Sequence, residues 1–466
     1  MKVRTLAFAV LLLMPAGLNA QDSASVRLVA QQNGQGLVME ERVLSLPKGA
    51  GQVILPELPA TIDAHTLQVR SKTSPKGLKI HDLALDEELL TPSSLLKRHL
   101  GKKVTLVLPD GKSRDGRIQK EAVVLSTDEA PLFLVDGKVY AGPYDAVIYP
   151  ELPDNLSAKP RLSLNVENAG PARQTLELAY LAREIGWRMD YVLTMNKAGT
   201  SGLLSGWATL TNRSGRDFRD ASVELLAGEP RSVRPVMARA LAGDGMLMAK
   251  ASFVNESVES EELAEYHLYK LKNRVSLLNQ QSRQVPLFEP AAIPVTRRLV
   301  GRSGALPSGR EAEPRKENLD VVLSFRNIEA SGLGAPLPKG TLRAFQDDAG
   351  TRHFLGEAGL ERVPVGASAE LRIGQAFDVS VERIVTDYEK TGKSSYRATW
   401  ELRIRNSRKQ SQQIVLQELL PGKWKMENAS HKWNKASAGM LEFVVDVPPG
   451  RDAEPLVLKY TFNTEL

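Results

Sequence analysis

The sequence predicts an all-β protein with several β-sandwich domains of the immunoglobulin-like type and an inserted small barrel module of the SH3-like or Sm-like kind. Two observations lead to this prediction. Short apolar or alternating runs recur along the chain between turns of Gly, Pro and Asn, which is typical of all-β domains. Several of these runs end in an asparagine followed by a short polar turn, as strands do at tight connections in a sandwich.

The first twenty residues have the features of a cleaved secretory signal peptide. Lys2 and Arg4 form a basic start, residues 6–14 form an apolar core too short to span a bilayer, and Ala20 is the small residue that a signal peptidase needs. Cleavage after Ala20 lowers the net charge from +6 to about +4. The chain contains no cysteine, so core burial must replace disulfides, and we expect a periplasmic or secreted protein.

The composition argues against several classes of partner and chemistry. The net charge is small and scattered, so no nucleic-acid partner is expected. No later stretch approaches the length of a membrane span, so no integral membrane segment is expected after signal cleavage. Without cysteine, thiolate zinc sites, cysteine nucleophiles and a lipid-modified cysteine are excluded.

The domain organisation follows from the order of strands and turns. The barrel module begins with a short helix at 95–100 that ends at Gly101, followed by about five short strands. A stretch with three glycines, two prolines and almost no apolar periodicity predicts a flexible linker or loop. We therefore predict a signal peptide at 1–20, an N-terminal β domain at 21–92, the barrel module at 93–150, a central β-sandwich at 151–295, the linker or loop at 296–318 and a C-terminal β-sandwich at 319–466.

A strand that ends in asparagine is the repeated unit of this chain. The stretch 185–230 shows it best, because two strand runs at 207–210 and 221–226 are joined by the turn 211–215 and predict a hairpin. Asparagine tolerates a positive φ and bonds its own backbone nearby, which suits such turns. The spacing of the units is irregular, so it indicates separate sandwich domains rather than a solenoid. The asparagines are Asn168, Asn212, Asn327 and Asn406.

The second half of the chain carries motifs in an order that points to a family. They are Trp187 with Tyr191, 212–215, 221–228, 265–269, 283–284, 334–340, 354–357 and 374–379. On these residues the chain resembles the bacterial domain of unknown function 4139 family, which is related to the mucoidy inhibitor A proteins. The resemblance implies a β fold and no defined activity. Many relatives have a long coiled coil before this region, whereas this chain has the barrel module.

No constellation of residues predicts a catalytic, cofactor-binding or metal site. The six histidines lie far apart, and His267, beside Glu265, reads better as a half-buried structural residue than as a general base. The motif 347–350 reads as a hairpin turn rather than a calcium loop. Paired carboxylates would arise only if the fold brought together Glu361 with Asp378, or Glu57 with Asp63.

Two tryptophans are the remaining candidate surface. Trp424 and Trp433 flank a basic, polar segment, and aromatic faces beside hydrogen-bonding groups suit glycan or peptide recognition. The alternative interpretation is that each tryptophan covers one end of a sandwich core.

Taken together, these features predict a periplasmic or envelope protein of unknown activity that acts as a binding or scaffold module for envelope proteins or polymers. Partners would meet sheet edges or loops. The alternative is an envelope hydrolase that acts on glycan or peptide through acidic residues. A third possibility, a small-ligand receptor, would need a deep apolar pocket between domains. The sequence leaves the partner, the oligomeric state and the functional surface open.

Overall fold

The computed structural model describes residues 25–86, 90–109, 116–128, 130–153, 156, 159–228, 230, 258–263, 266–304, 313–450 and 454–465. The signal peptide predicted at 1–20 lies outside this part of the chain. In the described residues there are thirty strands, one α-helix and two 3-10 turns. The prediction of an all-β protein is therefore confirmed, whereas the immunoglobulin-like arrangement of sandwiches stays a prediction.

The elements are numbered in chain order. The first half contains β1 (Ser25–Gln31), β2 (Gln35–Ser45), β3 (Gly49–Leu55), β4 (Gln68–Ser71), β5 (Leu78–Asp86), α1 (Pro92–Arg98), β6 (Lys103–Pro109), β7 (Arg117–Ser126), β8 (Leu132–Val135), β9 (Lys138–Tyr140), β10 (Ala146–Ile148), β11 (Arg161–Asn168), β12 (Arg173–Arg183), β13 (Ile185–Met195), β14 (Ser201–Asn212) and β15 (Phe218–Ala227). The second half contains β16 (Val258–Leu263), β17 (Tyr266–Leu271), β18 (Val275–Leu277), β19 (Gln281–Pro294), β20 (Thr296–Ser303), β21 (Arg315–Arg326), β22 (Gly340–Asp348), β23 (Thr351–Leu360), β24 (Ser368–Lys390), β25 (Ser395–Asn406), β26 (Gln412–Leu419), β27 (Lys423–Ala429), β28 (Trp433–Ser437), β29 (Met440–Val447) and β30 (Leu456–Glu465).

The chain divides into two compact units, and each is made of separate stretches. The first takes its described residues from Met1–Gly186, Thr211–Leu225 and Asn273–Arg283, and the second from Trp187–Leu210, Leu226–Lys272 and Gln284–Leu466. The predicted domain boundaries are single continuous segments, so they do not correspond one to one with these units and stay predictions.

In the first unit, antiparallel strands alternate buried and exposed residues. β2 pairs with β1 on one side and with β12 on the other, and β12 also pairs with β4. Along β12 the side chains of Leu176, Leu178, Tyr180 and Ala182 are buried while their neighbours are more exposed, as the two-residue period of a strand requires. A separate sheet has the order β3-β11-β5.

The predicted barrel module forms a small barrel-like sheet with the strand order β10-β6-β7-β8-β9. A capping box begins α1, because the side chains of Thr91 and Ser94 each accept a hydrogen bond from the other residue's backbone N–H. Leu96 from the helix packs with Leu106, Val124 and Phe133 in the module's own core. The helix occupies 92–98 rather than 95–100.

In the second unit the strands follow the order β19-β14-β13, and β13 then pairs in parallel with β22, which pairs with β23. A further sheet of nine strands has the order β27-β30-β25-β24-β21-β20-β26-β29-β28. Its two edge strands, β27 and β28, are consecutive in the chain and only residues 430–432 connect them. Since so short a connection spans at most about 14 Å, the two edges must lie side by side, and the sheet curls around its core.

Two local predictions are wrong. Residues 296–318 do not form a linker throughout, because β20 and β21 occupy most of them and pair antiparallel in the nine-stranded sheet; residues 305–312 lie outside the described part. Glycines and prolines mask the strand signal here. The hairpin predicted at 207–226 is also wrong, since β15 pairs with β18, far along the chain.

The repeated asparagines do organise turns, and each is at most 3% exposed. The side-chain oxygen of Asn212 accepts from the N–H of Ser214 at 3.1 Å, and its amide nitrogen donates to the carbonyls of Arg216 and Leu277 at 2.8 and 3.0 Å. Asn168, Asn327 and Asn406 likewise accept a backbone N–H a few residues on and donate to backbone carbonyls. The asparagine thus satisfies backbone groups that a turn would leave unpaired.

Candidate binding groove

A cavity lies in the barrel module, between α1 and the edge strand β10. Its volume is about 1070 Å³, at the upper end of the range for small-ligand sites. Helix α1, the strand β10 with the residues after it, and Thr127, Asp128 and Pro131 line the cavity. We call this cavity the α1–β10 groove.

The walls of the groove are mainly apolar, and its rim is exposed. Leu95, Val147 and Tyr149 are half-buried along the walls. Leu90 and Leu152 line the rim with 40% and 59% of their surface exposed. Large apolar side chains left exposed together in a small module indicate a surface that a ligand or partner covers.

Tyr149 is positioned by a buried histidine. The Nδ1 of His99 lies 2.8 Å from the carbonyl oxygen of Leu95, so Nδ1 carries the proton and donates. The imidazole centroid lies 4.8 Å from that of Tyr149, and burial, followed by nearby Tyr144, raises the pKa of the Tyr149 hydroxyl. Tyr144 in turn packs edge-on against Phe133 of the core. These contacts connect the groove wall to the core of the module, so the wall is preformed.

The groove has few polar groups, and one side of it is an open sheet edge. Lys97 and Asp128 are exposed side chains among its lining residues. In the described part of the chain, β10 pairs with β6 alone, so the backbone groups on its other edge have no strand partner. An edge of this kind can accept an added strand.

The tryptophans predicted as a candidate surface form a contact between the two edges of the nine-stranded sheet. Trp424 lies on β27 and Trp433 on β28, with ring centroids 5.9 Å apart. The indole N–H of Trp424 donates to the carbonyl of Ala438 at 2.8 Å, and the Lys435 ammonium lies 4.9 Å from the Trp424 ring centroid. The structure thus brings the two tryptophans together and gives them a role in closing the sheet.

The carboxylates considered from the sequence have separate structural roles. Glu57 lies 3.5 Å from Lys159 and Glu361 lies 3.8 Å from Lys339. Asp63 accepts the N–H of His65 in a 3-10 turn.

Two other candidates behave as the sequence indicates. Asp347 accepts the N–H of Gly350 at 3.0 Å in the turn between β22 and β23, so the predicted hairpin turn is confirmed. His267 is half-buried on β17, while its neighbour Glu265 lies outside the described residues. Among the described residues there is no group of three or more His, Asp or Glu side chains that could hold a metal ion.

Sequence reasoning missed two buried ionic networks, one in each unit. In the first, Glu40 accepts from both Arg42 and Arg216 and from the hydroxyl of Tyr180. Burial alone would raise the pKa of Glu40, but the two arginines outweigh it and lower that pKa from 4.5 to about 2. Glu40 and Arg216 are 176 positions apart, so the only local signal was charged residues inside alternating strands.

In the second network, one buried arginine serves two carboxylates. Arg383 donates to Glu317 at 2.7 Å and to Glu418 at 3.0 Å, and Tyr460 also donates to Glu418. Burial raises the pKa of Glu418, and nearby Glu317 adds to the increase, despite the opposing effect of Arg383. Both networks are buried among core residues, so neither faces a ligand.

The fold and the groove define an all-β protein that carries a barrel-like module with a ligand-sized, mainly apolar cavity. Over residues 176–463 the chain matches the family model described as Domain of unknown function (DUF4139). The match covers more than half of the chain, so the chain belongs to this family and the resemblance seen in its sequence is confirmed. Comparison with curated proteins finds no match. No helix among the described residues is long and apolar enough to cross a membrane.

Proposed function

We propose that this chain is a periplasmic or envelope binding or scaffold protein, and that the α1–β10 groove takes an extended, apolar peptide segment of an envelope protein. The observation that carries the proposal is the groove itself, an apolar cavity of about 1070 Å³ beside an open strand edge. The location rests on the signal-like features of residues 1–20.

An extended peptide fits the groove better than a compact ligand would. The free edge of β10 offers backbone N–H and C=O groups in a row, and a peptide that pairs with them gains main-chain hydrogen bonds. Alternate side chains of such a peptide point toward the walls, where Leu95, Val147 and Tyr149 offer apolar contacts. Lys97 and Asp128 at the rim then favour a peptide that carries both charge signs at its ends.

The hydrolase alternative finds less support. Hydrolysis of a glycosidic bond by acidic residues needs two carboxyl groups across one cleft, about 5–9.5 Å apart. Among the described lining residues, the α1–β10 groove has one carboxylate, Asp128, a cavity between Val69 and Ile80 has none, and a cavity beside Arg326 has one, Glu370. The lining of these three cavities therefore supports binding better than acid-catalysed hydrolysis.

Site-specific photocrosslinking in the native cell envelope tests the proposal. A photoreactive amino acid replaces Leu152 in the groove, and the matched control replaces Ile118, an exposed apolar residue of β7 that does not line the groove. We expect capture of a defined peptide segment from position 152 only, and loss of capture when Ala146→Trp fills the groove. Equal capture from both positions, capture unaffected by Ala146→Trp, or capture of glycan alone would contradict the proposal.

A further inference from the structure

Three unpaired hydroxyl groups lie together on the second unit's nine-stranded sheet. Thr296 on β20 is in register with Ser324 on β21, and Arg326 on β21 is in register with Ser368 on β24. Residues directly opposite in a sheet project to the same face, so all four side chains share one face. The hydroxyls of Thr296, Ser324 and Ser368 line a cavity of about 490 Å³ and make no hydrogen bond within the described part of the chain.

Two arginines give this cavity a positive charge. Arg298 is paired with Glu370, and its buried Nε has no hydrogen-bond partner among the described residues. Arg326 is exposed and donates to the carbonyl of Gly366 at 3.2 Å, and no described carboxylate pairs with it. Of the three charged groups that line the cavity, one cation is therefore left without a counter-ion.

The donors and the volume together define the ligand. A guanidinium with free N–H groups binds a carboxylate or phosphate in two-point geometry. The volume far exceeds the share of one water molecule, about 30 Å³, so the cavity has room for more than a small ion. Three hydroxyls and the Glu370 carboxylate can exchange hydrogen bonds with hydroxyl groups on the ligand.

We propose that this cavity binds an anionic sugar, with the oxyanion on Arg326 and the sugar hydroxyls on Thr296, Ser324, Ser368 and Glu370. The oxyanion is a carboxylate or a phosphate ester, because Arg326 recognises both. This site is separate from the α1–β10 groove, so it stands even if the groove proposal fails.

Calorimetry on the whole mature chain tests the site with four probes. Glucuronate and glucose 6-phosphate carry both an oxyanion and hydroxyls, acetate carries only the oxyanion, and glucose carries only hydroxyls. We expect at least one of the two anionic sugars to bind at least tenfold more tightly than acetate and glucose. Whichever of the two binds more tightly identifies the oxyanion.

Two variants locate the binding. Arg326→Gln should weaken the anionic sugar at least tenfold, whereas Arg405→Gln, which removes an exposed arginine of β25 outside the cavity, should change its affinity less than twofold. Ser324→Val leaves the charge of the cavity in place, so it should weaken the binding of the anionic sugar but not the binding of acetate. Equal binding of acetate and glucuronate, equal effects of the two arginine variants, or no binding of either anionic sugar by the folded wild-type chain would overturn the proposal.

Discussion

The exchange of Glu40 for glutamine tests whether a buried ionic network holds the first unit together. Glu40 lies on β2 with its side chain fully buried, 2.7 Å from one nitrogen of Arg216 and 3.1 Å from one of Arg42. Glutamine keeps the shape of the side chain but not its charge. Arg42 and Arg216, both buried, would then lack the carboxylate that neutralises them.

Two routes give the same magnitude for this change. Removal of one partner from a buried ion pair costs about 3–5 kcal/mol. Independently, the lowering of the Glu40 pKa from 4.5 to about 2 corresponds to about 3 kcal/mol of stability at neutral pH. We therefore expect Glu40→Gln to reduce the free energy of unfolding of the first unit by about 3 kcal/mol or more.

The same pKa fixes the pH dependence. The folded chain lowers the pKa of Glu40, so the contribution of this carboxylate to stability is fully present above about pH 4.5 and is lost as the pH falls toward about 2. The wild-type chain should lose stability in that window. In Glu40→Gln, unfolding of the first unit should take up one proton fewer in this window, so the stability of that unit should fall less steeply as the pH decreases.

Glu418→Gln is the matched control, because its network has the opposite charge balance. Arg383 keeps Glu317 as a partner at 2.7 Å when Glu418 is neutralised. Burial raises the pKa of Glu418, so its folded-state stabilisation is present at low pH and is lost as the pH rises through the raised pKa. Glu418→Gln should consequently lower the free energy of unfolding by less than about 1 kcal/mol at neutral pH. Its stability should also fall less than that of the wild type as the pH rises above about 4.5.

Hydrogen exchange followed by mass spectrometry measures both variants. All five tryptophans lie in stretches of the second unit, so tryptophan fluorescence would report mainly on that unit. Exchange of amides in β2 and β12 reports on the first unit instead. An unchanged exchange rate of the β2 and β12 amides in Glu40→Gln at pH 7 would refute the reasoning. A larger loss of stability in Glu418→Gln than in Glu40→Gln would also refute it.

Two further pairs of substitutions test backbone geometry and turn chemistry by urea unfolding. Gly356→Ala should lower the free energy of unfolding by about 1–3 kcal/mol more than Gly350→Ala does. Both glycines have a positive φ, but only at Gly356 would a Cβ lie against a backbone atom, the carbonyl oxygen of Ile373. Equal losses in the two variants would contradict this. Asn212→Ala should lower the free energy of unfolding by about 2–4 kcal/mol, because buried backbone groups lose their hydrogen-bond partners. Asn196→Ala, in an exposed turn, should lower it by less than about 1 kcal/mol. The reverse order would exclude a structural role for Asn212.

The sequence predicted those parts of the fold that depend on neighbouring residues. Strand periodicity and the asparagine turns are local and are visible in a window of about ten residues. The barrel module is one continuous segment, and most of its strands pair with the next strand in the chain. Pairing partners were not predictable in this way. The 211–215 turn reads as a hairpin, yet β15 pairs with β18, because backbone pairing in a large sheet depends on residues far along the chain.

The same physical reason explains what was missed at the candidate site. The groove needs α1, β10 and the stretch that contains Thr127, Asp128 and Pro131 to meet, and none of these short segments alone indicates a binding site. The Trp424 and Trp433 pair was found in the sequence because both residues lie within ten positions of each other. Its role in closing the sheet was not predictable, since β27 and β28 pair with different strands despite their short connection.

The position of the groove in the chain separates a family property from a property of this protein. The family match covers residues 176–463, and every residue that lines the α1–β10 groove lies between Leu90 and Leu152, outside that match. The module has its own core around Leu96 and Phe133. A partner that binds in the groove would therefore be recognised through residues that the family match does not include, whereas a ligand at Arg326 would be bound by residues within it. The two binding experiments thus ask different questions: the first asks what this chain binds, and the second asks what the matched region provides.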